Sequence, residues 1–148
     1  MLEDINKEKT SADHLLYVSL KYTKTCDVIL NLIERWRSLI DLCFDALVKK
    51  KLEQKVIKEK PKSPMHKVEF IKKYYKKNKN ILDIIPLYLF FRRIPLLQKA
   101  REGEFRKKVT LKVFDKKEIV SIDLEKLKEY SLVVERFISE IKQELEKK

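Results

Sequence analysis

With 148 residues, 44% of them hydrophobic and 39% charged, the chain has the size of one domain and too much apolar material to stay disordered. One glycine and four prolines exclude collagen-like and linker-like sequences and argue against a turn-rich all-β sandwich. The net charge is +12, and no run of about 18 apolar residues is present, so no membrane span is expected.

The charged start, Met1 to Lys9, lacks the apolar core of a signal peptide, and two cysteines make no disulfide framework. A cytoplasmic protein is the expectation. Few amide side chains beside abundant Lys, Glu and Ile is the compositional trend of hyperthermophile proteins, which an AT-rich mesophile would share.

The first ten residues are expected to fray, and residues 1–148 to form one helical domain. Ser11 to Thr23 reads as a short helix with Leu15, Leu16, Tyr17, Leu20 and Tyr22 as its apolar surface. A turn is expected between Tyr22 and Asp27. From about Cys26 to Leu52, Ile29, Ile33, Trp36, Ile40, Cys43 and Leu47 recur in steps of four and three, which predicts one long helix with a broad buried face. Thr25 is placed to cap its start, and Lys49-Lys50-Lys51 suit the negative end of its dipole.

Lys58 to Pro64 reads as a connector. Ser63-Pro64 combines a capping hydroxyl with a proline at the first helical position, and the helix it begins fades at Lys76 to Asn80. Ile81 to Phe91 begins another helix, with Pro86 in its first turn. Pro95 should kink or break this element, and Gly103 is read as its C-terminal end. Val109 to Phe114 and Glu118 to Ile122 alternate in the manner of strands around Asp115-Lys116-Lys117, which predicts a hairpin. Asp123 should cap a last helix striped by Leu127, Tyr130, Val134, Phe137, Ile141 and Leu145. The expected fold is an all-α, antiparallel bundle of about five helices with a small β-hairpin before the last helix. Its two best stripes, on the long helix and the last one, should pack side by side.

The charge is segregated. Residues 49–79 carry +10 and residues 92–112 carry +6, whereas residues 1–48 carry −2 and residues 113–148 carry −1. Clustered cations suit a polyanion, because each phosphate they neutralise releases counterions. Lysines that merely solvate helix faces are the bland alternative. Tyr74 and Tyr75 amid Lys72, Lys73, Lys76 and Lys77 interleave aromatics with cations, a pattern that can stack unpaired bases. A core tyrosine beside a rim tyrosine would look the same. Arg92-Arg93 and Arg101 with Arg106-Lys107-Lys108 are the other basic candidates. The predicted nucleic-acid-binding set is therefore Lys72, Lys73, Tyr75, Lys76, Lys77, Arg92, Arg93, Arg101, Arg106, Lys107 and Lys108.

Catalytic signatures are missing from the sequence. Gly103 stands alone, so there is no phosphate-cradling glycine loop. Cys26 and Cys43 would lie ~25 Å apart on one helix, too far to share a metal or a disulfide. His14 and His66 have no ligand partner of the usual spacing, and nothing local makes a nucleophile of a Ser, Thr or Cys. No cofactor, no metal and no catalytic residue are expected.

Ala12-Asp13-His14-Leu15-Leu16, the helix through Asn31-Leu32-Ile33-Glu34, the basic connector with prolines, Glu104-Phe105-Arg106-Lys107 before the hairpin, and Asp123-Leu124-Glu125-Lys126-Leu127-Lys128-Glu129-Tyr130 form a recognisable layout. From about residue 11 to residue 147 it resembles archaeal proteins with a HEPN-type (higher eukaryote and prokaryote nucleotide-binding) helical bundle. The resemblance implies a relative of ribonucleases and toxin–antitoxin components, commonly a dimer. Their catalytic signature, an arginine followed four to six residues later by histidine, is not matched by His14 or His66. The resemblance therefore implies a non-catalytic binder of RNA or another polyanion, or a protein-partner module, with a divergent ribonuclease as the remaining alternative. The apolar surplus at Leu87, Leu89, Phe90 and Phe91 is a second reason to expect a homodimer.

Overall fold

Four polar side chains set where helices begin. Thr25, Ser63, Asn78 and Asp123 accept hydrogen bonds from the amides of Val28, His66, Ile81 and Lys126, respectively. Each satisfies one of the amide donors that a helix start leaves without a partner. The computed structural model describes residues 2–147 and is 68% helical. Helix α1 (Leu2–His14) runs through a π-helical stretch, Leu15–Ser19, into α2 (Leu20–Tyr22). A turn at residues 23–25 leads into α3 (Cys26–Glu53), and α4 (Pro64–Tyr74), α5 (Lys79–Leu82) and α6 (Ile84–Arg93) follow. Strands β1 (Gln98–Glu102), β2 (Thr110–Asp115) and β3 (Glu118–Ile122) precede α7 (Leu124–Glu146). Residues 1–10, read as a frayed start, are instead helical from Leu2 onward, anchored by the fully buried Ile5.

The expected hairpin is a three-stranded antiparallel sheet in the order β1-β2-β3. The added strand, Gln98–Glu102, occupies the stretch that the sequence predicts as the tail of a helix ending at Gly103. Pro95 ends α6 in a single 3-10 turn, Ile94–Leu96, and the chain beyond it pairs with β2, Gln98 opposite Phe114 and Glu102 opposite Thr110. Nothing in Gln-Lys-Ala-Arg-Glu favours a strand; the partner supplies the preference. Gly103 is therefore a loop residue between β1 and β2, at φ +64°. A Cβ there would lie 2.8 Å from the Lys108 carbonyl oxygen, which already accepts the Thr110 hydroxyl. Gly103→Ala is expected to lose about 2 kcal/mol of stability from the clash and the left-handed backbone together, read as a lower urea midpoint.

The bundle is also not simply antiparallel. Phe44 of α3 meets Phe137 of α7 edge-on at 5.7 Å, and six residues on the Lys50 amine reaches the Glu144 carbonyl. The two stripes do pack side by side, but the helices advance together and are parallel. The sheet and α6 return the chain to the starting end, where β2 lies against the start of α3, with the Cys26 thiol 3.4 Å from the Thr110 carbonyl. Between the long helices lie Trp36 stacked on Phe91 at 5.9 Å, Phe91 against Tyr130 at 5.5 Å, and Tyr88 against Phe44 at 5.1 Å. Trp36, Cys26 and Cys43 are buried. Phe90 and Phe91 are buried too, while Leu87 and Leu89 pack half-covered against the core. The apolar surplus that suggested a dimer is thus covered within one chain. Among the described residues no helix is long and apolar enough to cross a membrane.

Candidate polyanion site

Three helices end close together. The last turns of α3, α4 and α7, with the loop into α5, enclose an open cleft of about 630 Å³. Lys51, Lys73, Lys76, Lys77, Lys79 and Lys147 line it, against the carboxylates of Glu140 and Glu144. Lysines suit helix C-termini, so the bland account is that they offset the dipoles. Three C-termini together carry only about −1.5 elementary charges, which with two carboxylates leaves six lysines in clear surplus. Only Lys147 is ion-paired among the described residues, to Glu144 at 2.9 Å. Lys51 and Lys73 lie over the rings of Tyr75 and Tyr74, at 5.3 and 5.2 Å.

The cleft wall is fixed by amides. Asn78 uses its oxygen to cap α5 and donates its Nδ2 to Glu140 at 3.0 Å, while Asn80 donates to the other Glu140 oxygen at 3.2 Å. Both bonds favour the carboxylate form and hold the Glu140 carboxyl below its usual range. The loop after α4 is thereby pinned to α7. Tyr75 also lines the cleft, and its buried hydroxyl has no hydrogen-bond partner among the described residues. Burial, and secondarily Glu144, pushes that phenol up to about 12, so it stays a donor at neutral pH.

The sequence-predicted residues do not converge on one face. Lys73, Lys76 and Lys77 line the cleft, and Lys72 is exposed on α4 outside it. Tyr75 is only 6% exposed, packed against Phe70 at 6.3 Å, so its ring offers no platform for a base. Arg92 sits 3.7 Å from Asp41 and over the Tyr88 ring. Arg93 grips Asp115 with two bonds of 2.8 and 3.3 Å and holds that carboxyl below its usual range. Arg101 bonds Asp27 at 2.7 Å and lies 3.5 Å from Glu104. These three arginines are committed to structural pairs. Arg106, Lys107 and Lys108 are exposed in the β1–β2 loop, at the Cys26 end of α3. About 38 Å of helix, at 1.5 Å per residue, separates that end from Lys51.

Lys51, Lys79, Lys147, Asn78, Asn80 and Glu140 were not singled out from sequence. The lysines at the end of α3 were legible as dipole partners, but their meeting with α7 depends on the parallel packing. His66 sits in the first turn of α4, its Nδ1 3.0 Å from the capping Ser63 hydroxyl, and does not line the cleft. No protein-family model, no curated protein and no solved structure matches the chain.

Proposed function

We propose that the protein is a non-catalytic binder of RNA or a comparable polyanion, gripping the phosphates in the lysine cleft where α3, α4 and α7 end. One observation carries the reading: five cleft lysines have no carboxylate partner among the described residues, on walls held by the Asn78–Glu140 and Asn80–Glu140 bonds. Mutual repulsion of such lysines is relieved by an anion, and a preformed wall lowers the ordering cost of binding.

Single-stranded RNA is expected to bind with a log–log salt slope near −3.5 for five neutralised phosphates, losing about a hundredfold in affinity from 50 to 200 mM salt. The triple variant Lys73→Glu, Lys76→Glu, Lys77→Glu should weaken binding at least about thirtyfold at low salt. An equal charge change at the exposed Lys7, Lys116 and Lys117 should have little effect, and His66→Ala should leave binding intact. A flat titration at 50 mM salt would overturn the proposal. The alternative, a protein-partner module, is favoured by one observation. On the outer face of the sheet, Ile119 stands opposite Phe114 and both are exposed, and Leu96, two residues before the Gln98 that pairs with Phe114, is 89% exposed. Under that reading no RNA binds at any salt concentration.

A further inference from the structure

At the opposite end of the molecule a smaller groove, about 220 Å³, lies between the π-helical stretch, the β1–β2 loop and the start of α7. Its floor is apolar, with Leu20 and Val109 among the lining residues, and Lys21, Lys24, Lys107 and Lys128 surround it. No carboxylate lines it, and none of these four lysines is ion-paired among the described residues. Its volume is below the roughly 300–1,000 Å³ of a drug-sized ligand's pocket, so it suits one ring of a ligand whose charged remainder lies outside.

One aromatic side chain, Tyr17, lines the groove, and a second, Phe105, lies outside its lining on the β1–β2 loop that contributes Lys107. The π-helical turn, closed by the Leu20 amide on the Leu15 carbonyl, keeps Leu16 and Leu20 buried while Tyr17 stays 58% exposed beside the groove. Such turns are rare and recur at functional sites. Phe105 is 77% exposed at φ +66°, a conformation that bulky residues avoid. Its backbone N–H donates a hydrogen bond to the Lys24 carbonyl at 2.6 Å, which holds it there. The backbone of this loop, not packing of the ring, thus sets where Phe105 stands, exposed next to Arg106, Lys107 and Lys108.

We propose that this groove is a second nucleic-acid site, which takes an unpaired nucleotide of single-stranded RNA by stacking its base on Tyr17 and Phe105 while the surrounding lysines hold the flanking phosphates. The site lies at the other end from the lysine cleft and differs from it in kind. The cleft meets charge alone, whereas the groove needs a planar ring beside the charge. The inference rests on the polyanion reading only in requiring an anionic ligand.

The test compares a fluorescein-labelled oligouridylate 12-mer with inorganic polyphosphate of matched charge, at low salt. Tyr17→Ala with Phe105→Ala is expected to weaken oligouridylate binding about tenfold or more and polyphosphate binding less than twofold. The ring-preserving pair Tyr17→Phe with Phe105→Tyr should restore oligouridylate binding, which separates loss of stacking from loss of fold. Equal weakening of both probes, or of neither, overturns the proposal. Polyphosphate binding without oligouridylate binding also overturns it while leaving the lysine cleft standing, and binding of neither probe removes both.

Discussion

Raising the pH from about 9 to 11 is expected to destabilise the protein steeply. The buried Cys43 thiol, ordinarily 9.0, is pushed up to about 12 by desolvation. Tyr75 is pushed from 10.0 to about 12 by burial and then Glu144, and Tyr130 likewise by burial and then Glu129. Tyr88 is raised further, by burial first and by its bond to Asp41 second. A folded pKa above the unfolded one means that the native state keeps a proton the unfolded chain has lost. The stability these groups contribute is therefore fully present below pH 9 to 10 and is lost as pH rises toward 12. At about 1.4 kcal/mol per unit, Cys43, Tyr75 and Tyr88 alone remove roughly 5 kcal/mol by pH 11, comparable with the whole stability of many domains. Urea midpoints at pH 7, 9, 10 and 11 should fall in that order, and Cys43→Ala should flatten the slope between 9 and 10. A midpoint unchanged up to pH 11 contradicts the account.

Removing one carboxylate should be nearly as damaging at neutral pH. Asp41, on α3, accepts the Tyr88 hydroxyl at 2.6 Å and the Arg37 guanidinium at 2.5 Å, with Arg92 and Lys67 at 3.7 and 3.8 Å. Tyr88 is fully buried, so Asp41→Ala leaves its hydroxyl without this acceptor and three cations without this counter-charge. A loss of about 3 kcal/mol is expected from urea unfolding. Asp41→Asn, which retains an acceptor for Tyr88, should lose distinctly less. Tyr88→Phe should lose about 1 kcal/mol, because the carboxylate keeps its guanidinium. Equal losses for the Ala and Asn variants would contradict the role given to the tyrosine hydroxyl.

Much of the local structure was legible in the sequence because short-range physics dictates it. Thr25, Ser63-Pro64 and Asp123 mark helix starts through bonds within three residues of themselves. The alternation in residues 109–114 and 118–122 matches β2 and β3, with Lys116 turning the hairpin at φ +61°. The stripe from Ile29 to Leu47 buries Trp36 because side chains three and four apart share a helix face.

Other features were decided only by contacts distant along the chain. Gln98–Glu102 is a strand because β2 offers it hydrogen bonds, and its own side chains give no such signal. The parallel course of α3 and α7 follows from the way α6 and the sheet carry the chain back, which neither stripe encodes. Of the candidate site, the lysines could be counted but not located. A run of charge fixes how many cations exist, whereas ion pairing depends on which carboxylates the fold brings within reach. Asp115, Asp41 and Asp27 therefore claim Arg93, Arg92 and Arg101. The same packing leaves the lysines after α4 facing the ends of two other helices and strands Arg106, Lys107 and Lys108 at the far end of the molecule.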